Sequence, residues 1–391
     1  MPSQLQIIQQ KLNERFYDRQ EEIEALLIAL LSKQHLLFIG PAGTGKSYLS
    51  SMLGEIVEGS RYFQHLLTPF STPEELFGVL SLKDLEQGIY KRNVTNMLPE
   101  AHFSFIDEIF KANSAILNSL LTLINERVYY NNGVPIPSPL MTMIGSSNET
   151  IEEGDGLEAL FDRFLLRFEV NYIREEEAFI AMLKDQSQVE IPKMTLQQLH
   201  DYQQNVLNVT ISDSIYKIIA KIRQKLHDAG IRPSDRRFKQ SLSILQARAY
   251  LVGRPEVLRE DLNMLVNVLW ETFDQKNATK EIINETAFDT VDAFILKTMT
   301  EFESIILNAQ NTMLHKTPLT RTQLSQLLLQ GKTLLLEVQN MNRKIPNRPE
   351  LQNLKTEMHR RLLQMTSDVW ILSNYLNTEP ISLEVDGWKH P

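Results

Sequence analysis

The 391-residue sequence contains no cysteine. That removes disulfides, thiolate metal sites and cysteine nucleophiles together, and it fits a reducing compartment. Long apolar runs are missing as well. The richest stretch, IEALLIALL from Ile23 to Leu31, is far too short to span a bilayer. The opening MPSQLQIIQQKLNERF has no basic segment followed by an apolar one, so no signal peptide and a cytoplasmic location are expected. Positive charge is in deficit: 40 Lys and Arg stand against 49 Asp and Glu, a net charge of −9. This balance argues against coating nucleic acid or an anionic membrane, although a local basic groove remains compatible with it. The 8 histidines show no H-E-x-x-H or other metal spacing, and no G-x-S-x-G elbow occurs.

What is present is enough apolar material for two or three domains. Ile23 to Leu31 has helical spacing, and HLLFIG, His35 to Gly40, reads as a buried strand ending in glycine. A helix begins at Lys46. Further strands are expected near Tyr62 to Leu67, Ala101 to Glu108 and Leu140 to Asn148, with a helix over Ala115 to Glu126. In VYYNNGVPI, Asn132-Gly133 reads as a hairpin turn. Strands alternating with helices to about Val170 indicate a parallel α/β sheet. The pattern then turns helical. Ile215, Ile218, Ile219, Ile222 and Leu226 line one helix, Phe238, Leu242, Leu245 and Ala249 a second, and Leu262, Leu265, Val266 and Leu269 a third. Leu351, Leu354, Met358, Leu362 and Met365 step by three and four, as in a bundle or short coiled coil, and IPNRP breaks the helix before them. The terminal ISLEVDGWKHP reads as a short strand or a loose tail.

Three stretches carry chemistry. Gly40, Pro41, Ala42, Gly43, Thr44, Gly45, Lys46 and Ser47 match G-x-x-x-x-G-K-[ST] between a strand and a helix. Glycines allow backbone N–H groups to converge on phosphate oxygens, Lys46 would reach the β- and γ-phosphates, and Ser47 would bind Mg²⁺. FSFIDE ends a buried strand in Asp107, a metal-binding candidate, and Glu108, which can orient an attacking water. A glutamate beside the metal aspartate favours hydrolysis over transfer to a small substrate. MIGSSN ends another strand in Asn148, whose amide could hold the γ-phosphate or the lytic water, or serve only as turn chemistry.

A fourth stretch, LEALFDRFLLRFEV, poses a question. Leu157, Leu160, Phe161 and Phe164 have helical spacing, then Leu166, Phe168 and Val170 alternate as a strand, yet Arg163 and Arg167 interrupt the apolar pattern. Both could snorkel to water or pair with Asp162 or Glu169.

Together, HLLFIGPAGTGKS, FIDEIFKANSAILNSLLTLINER, IGSSNE, LEALFDRFLLRF and PSDRRFKQSLSILQARAYLVGR resemble the AAA+ ATPases, specifically the MoxR family over residues 10–275. DEIFKAN, LLTLINER and SDRR are most similar to the RavA-type subgroup. The usual proline after the asparagine is Glu149 here, and Lys111 replaces an arginine. The resemblance implies an α/β P-loop core, a parallel sheet flanked by helices, at 1–185. An all-helical lid at 186–276 and a mainly helical C-terminal domain at 277–391 would follow. It makes Gly40 to Ser47 Walker A, Asp107 and Glu108 Walker B, Asn148 sensor 1 and Arg236 sensor 2. Arg163 becomes an arginine finger acting on a neighbour's γ-phosphate, with Arg167 a weaker candidate. Phe16 and Tyr17 lie where relatives contact adenine and are equally suited to core packing; Tyr48, directly after Ser47, is taken as cofactor-binding. Residues 77–99 would hold a β-hairpin inserted into helix 2, and VYYNNGVPI a second insertion. The implied activity is Mg²⁺-dependent ATP hydrolysis by a homo-oligomer, a hexameric ring, that remodels a protein client, such as a von Willebrand factor A-domain protein. Two rivals stand beside it: a nucleotide-gated scaffold with little turnover, and a nucleic-acid motor, which the acidic charge disfavours.

Overall fold

The computed structural model describes residues 3–149, 157–185, 189–288, 290–314, 321–345 and 348–375, so ISLEVDGWKHP lies outside the described residues. The chain divides into two compact units, Met1–Ala287 and Phe288–Pro391. Among the described residues, no helix is long and apolar enough to cross a membrane.

The strands of the first unit are β1 (Leu36–Ile39), β2 (Val57–Glu58), β3 (Tyr62–Leu66), β4 (Phe103–Asp107), β5 (Val128–Asn131), β6 (Val134–Pro137), β7 (Thr142–Ser147), β8 (Leu166–Glu169) and β9 (Met194–Thr195). Five of them form a sheet in the order β3-β4-β7-β1-β8. Every pairing in it is parallel; Leu36, for example, registers with Ile144 on one side and Leu166 on the other. Parallel strands covered on both faces should be continuously apolar, and β1 and β7 are buried along their whole length. Because β1 is an interior strand and the chain leaves it to return at the far edge strand β3, the carboxyl ends of β1, β4 and β7 open on one crevice. That is where α/β sheets bind ligands.

Helices α1 (Gln4–Arg15) and α2 (Gln20–Ser32) precede the sheet, and α3 (Lys46–Ile56) follows β1. Between β3 and β4 lie α4 (Pro73–Phe77) and α5 (Leu82–Leu85); α6 (Ser114–Glu126) follows β4, α7 (Glu158–Arg163) leads into β8, and α8 (Glu176–Lys184) leaves it. The core joins Leu37, Ile106 and Met143 of the sheet to Ile116, Leu120 and Leu123 of α6, Leu160 and Phe164 around α7, and Trp270. Each such fully buried side chain contributes roughly 2–3 kcal/mol. Gly145 allows Phe164 to sit against β7, since a Cβ there would lie 2.9 Å from the Phe164 ring.

The inserted segments differ from a pair of plain hairpins. β5 and β6 do form one, with Asn132 and Gly133 both at positive φ (53° and 74°), as a two-residue turn of the primed type requires. Residues 77–99 instead form a loop with the short α5, closed by a single antiparallel bridge between Leu80 and Arg92. The buried Asn131 side chain joins the two. Its Oδ1 accepts from Arg92 N (2.8 Å), its Nδ2 donates to Arg92 O (2.9 Å), and Asn132 Oδ1 accepts from Tyr90 N (3.1 Å).

A helical lid completes this unit: α9 (Leu196–Val206), α10 (Asp213–Asp228), α11 (Asp235–Leu251) and α12 (Gln275–Ala287). The apolar stretch around Leu262 and Leu265 is a 3₁₀ segment, Arg259–Asn267, where helical spacing had indicated an ordinary amphipathic helix. Both residues are buried as expected; at its start a fully buried Asp261, tied to Arg248 and Arg254, accepts from the Leu258 backbone N–H (2.8 Å). The second unit consists of α13 (Thr290–Leu314), α14 (Arg321–Lys344) and α15 (Pro349–Tyr375), packed around Phe302, Leu328, Leu335, Val338, Leu354, Met358 and Leu362.

Candidate nucleotide-binding site

The loop Gly40 to Ser47 connects β1 to α3 and opens at the crevice. Gly43 (φ 80°) and Gly45 (φ 84°) adopt left-handed conformations that turn successive backbone N–H groups inward. At Gly40 the constraint is steric as well, because a Cβ would lie 2.1 Å from the Val170 carbonyl oxygen. Lys46, the first residue of α3, is buried; its Nζ donates to the Gly40 (2.6 Å) and Pro41 (2.7 Å) carbonyls and lies 3.3 Å from Asn148 Oδ1. Burial lowers its pKa, while Asp107 and Glu108 nearby oppose that shift and favour the charged form.

Strands β4 and β7 bring the acids and the amide to the same place. Asp107 Oδ1 accepts from Ser146 Oγ and from the Glu108 backbone N–H (3.1 Å), which fixes the carboxylate's orientation. Glu108 is buried and carries a left-handed backbone (φ 53°), a conformation that costs on the order of 1 kcal/mol for a residue with a Cβ. Asn148 Nδ2 donates to Glu108 Oε1 at 2.5 Å, and Lys111 Nζ lies 3.4 Å from Oε2. Lys46, Asn148 and Glu108 therefore form one hydrogen-bonded chain beside the glycine loop. Ser47 follows Lys46 at the start of α3, so a hydroxyl and a carboxylate, Ser47 and Asp107, offer the hard oxygen donors that Mg²⁺ takes.

Beside the loop is a cavity of about 1080 Å³, lined among others by Tyr17, Tyr48, Tyr172, Ile173, Phe179 and Met182. Apolar and aromatic walls of this kind suit a flat heterocycle. Phe16 is buried yet also borders the cavity, with its ring 5.0 Å from that of Tyr48. The Tyr17 hydroxyl is raised in pKa by burial and by its hydrogen bond to Asp185. Tyr48 accepts from Arg15 Nε at 2.5 Å. Sequence reasoning missed the walls supplied by Tyr172 and α8, and it missed Arg19. That buried guanidinium donates to Thr44 O (3.2 and 3.1 Å) and Asn171 O (2.6 Å), clamping the loop from below.

The remaining arginines gather at another edge, where α7 meets α11. Arg167 is 1% exposed; it donates to the Phe161, Phe164 and Trp270 carbonyls, and its guanidinium stands 3.8 Å from the Phe161 ring centroid. It satisfies the last carbonyls of α7 and has no surface to offer a neighbour. Arg237 does similar work, donating to Asp162 O (2.9 Å), Leu165 O (3.3 Å) and Val268 O (2.8 Å). Arg163 pairs with Asp162 Oδ2 (3.2 Å), and its Nε is buried with no hydrogen-bond partner among the described residues. Burial lowers the Arg163 pKa, and repulsion from Arg236 adds to the shift. Arg236 donates to Asn125 Oδ1 at 3.0 Å, at the end of α6. Among the described residues, neither Arg163 nor Arg236 makes a hydrogen bond or ion pair with the phosphate loop or with Glu108.

Comparison with known proteins agrees with this arrangement. Residues 3–208 match the model of the MoxR domain in the MoxR-vWA-beta-propeller ternary systems, and residues 214–283 match an AAA lid domain. An uncharacterized protein of Methanocaldococcus jannaschii is 36% identical over 312 residues, covering 79% of this chain and 80% of its own length. The chaperone MoxR1 of Mycobacterium tuberculosis is 29% identical over 161 residues, 40% of this chain and 41% of its own. A solved structure from Cytophaga hutchinsonii, named for an inferred ATPase activity, shares the fold with a TM-score of 0.57 at 18% identity, covering 72% of this chain and 95% of its own. With a family model matched over more than half its length, an α/β core and a helical lid, the chain belongs to the MoxR family of AAA+ ATPases.

Proposed function

We propose that the chain hydrolyses ATP with Mg²⁺ as a subunit of a closed ring, a hexamer, in the cytoplasm, and uses the cycle to remodel a protein partner. The observation that carries this reading is the chain Lys46–Asn148–Glu108 beside the glycine cradle. Backbone N–H groups of Gly43 to Lys46 and the Lys46 ammonium would bind the β- and γ-phosphates. Ser47 and Asp107 would hold Mg²⁺, which supplies charge neutralisation at those phosphates. Glu108, held at Oε1 by Asn148, would orient and polarise a water for in-line attack, while Asn148 senses the γ-phosphate through the same amide. Tyr17, Tyr48, Phe179 and Met182 would enclose the base.

The γ-phosphate would also meet Arg163, supplied by the adjacent subunit, and Arg236, the sensor-2 arginine approaching from the helical lid. The place of Arg163 at the α7–α11 edge, and its lack of contact with this chain's own loop among the described residues, support action in trans for that residue. The name of the matching family model supports a von Willebrand factor A-domain protein as partner. DEIFKAN, LLTLINER and SDRR support a position near the RavA-type subgroup. The test is steady-state phosphate release by wild type and Glu108→Gln with ATP and Mg²⁺. Fast release abolished by the substitution supports the reading; equal rates in the two would overturn it in favour of a nucleotide-gated scaffold.

A further inference from the structure

Arg163 is the last residue of a six-residue helix, α7, and its guanidinium is stationed beside a like charge, Arg236. Repulsion alone would splay the two side chains into solvent. What opposes it is the preceding residue. Asp162 divides its carboxylate: Oδ2 takes Arg163 NH1 at 3.2 Å, and Oδ1 takes Arg237 NH2 at 3.1 Å. The two cations differ in freedom. Arg237 is 3% exposed and pinned by carbonyls of the core (Leu165, 3.3 Å) and of the lid (Val268, 2.8 Å), so it cannot follow the carboxylate elsewhere. Of the remaining donors of Arg163, Nε is buried and unpartnered among the described residues. We infer that Asp162 is a positioning residue for Arg163, transmitting the location of the lid's Arg237 to the arginine offered to the neighbouring subunit; the inference rests on the proposed trans role of Arg163.

The geometry has a directional consequence. Arg237 belongs to α11 of the lid but binds the core at the Asp162 and Leu165 carbonyls and at the Asp162 carboxylate. A lid rotation that pulls on α11 therefore loads those bonds and, through Asp162, the placement of Arg163. The lid of one subunit would then set how well the next subunit's phosphates are met.

Subunit mixing tests this with the full-length protein. Asp162→Asn keeps the shape and removes the charge. Alone it should bind a fluorescent ATP analogue within about twofold of wild type, with kcat down about tenfold or more and KM little changed. In a ring each site combines one subunit's Glu108 with its neighbour's Arg163, because the interface is head-to-tail. An equal mixture of Asp162→Asn with Glu108→Gln should therefore regain activity well above either parent, at about one site in four. A carboxylate that merely neutralised Arg237 would give no such rescue. Arg163→Ala mixed with Glu108→Gln runs in parallel. Rescue there but not with Asp162→Asn overturns the positioning role; rescue in neither overturns the trans reading and this inference with it. Asp162→Glu, which restores the charge, should recover most of kcat, and an equal loss in Asp162→Glu and Asp162→Asn would also defeat the proposal.

Discussion

At the end of β4, charges meet their opposites within one chain: Lys46 stands near Asp107 and Glu108, the neutral amide of Asn148 bridges Lys46 to Glu108, and Lys111 stands on the far oxygen of that glutamate. At the α7–α11 edge, four arginines (163, 167, 236 and 237) gather near two carboxylates, Asp162, which pairs with Arg163 and Arg237, and Glu271. The first region is a site furnished with its own counter-charges. The second has cations in excess, and the structure disposes of them in two ways. Arg167 and Arg237 are buried against backbone carbonyls, where a guanidinium's five donors can close off a helix end and a loop at once. Arg163 keeps a buried donor that no described residue satisfies, and Arg236 is held at Asn125. Identical side chains a few residues apart thus differ in whether the fold satisfies their donors, and on the proposed function that difference separates packing arginines from chemical ones.

The contrast can be pressed hardest at Arg163. Arg163→Ala should lower kcat about a thousandfold, as loss of an arginine finger does, while leaving nucleotide affinity and the unfolding midpoint near wild type. Phosphate release, analogue binding and urea denaturation would each be read. Glu108→Gln should cost about a hundredfold or more in phosphate release with binding retained, and the defect should track the mutated subunit's own site in mixed rings. Arg167→Met reverses the pattern. It leaves the Phe161 and Trp270 carbonyls without donors and should destabilise the fold by about 2 kcal/mol, seen in urea, with per-molecule binding of nucleotide unchanged below the transition. If Arg167→Met lost turnover without stability, the division between packing and chemical arginines would be wrong.

The smallest effect concerns pH. His35 is buried under the sheet, accepting from Met143 N (2.9 Å) and facing Arg127, and burial holds its pKa well below the ordinary 6.5. Neutral when folded, it gains a proton on unfolding below about pH 6.5, so stability is complete above that value and falls as pH drops. The slope contributed is at most about 1.4 kcal/mol per pH unit. His35→Gln should flatten the stability profile between pH 6.5 and 5.

Much of the fold was legible because its signals are local. Gly40 to Ser47 and Asp107-Glu108 are contiguous, and apolar runs such as Leu36 to Ile39 mark buried strands wherever they pair. What escaped depends on distant backbone. Arg19 matters through the Thr44 carbonyl, and nothing in its neighbours announces that bond. Arg236 and Arg237 are adjacent in sequence, yet one helical step of about 100° sends one outward and the other into the core. Periodicity likewise identified which residues around Leu262 are buried without revealing that the backbone winds as 3₁₀.

Asn131 carries a mechanical consequence. Because its amide grips both the N–H and the C=O of Arg92, and Asn132 adds a third bond at Tyr90, the hairpin tip hangs from two tethers in parallel: its own strands and the loop of residues 77–99. Parallel tethers add their stiffness, and a pull on the exposed Tyr130 or Tyr90 is shared between the chain leading to α4 and that leading to α6. Separating the two segments would break all three bonds, so they are joined into one piece rather than two loose flaps.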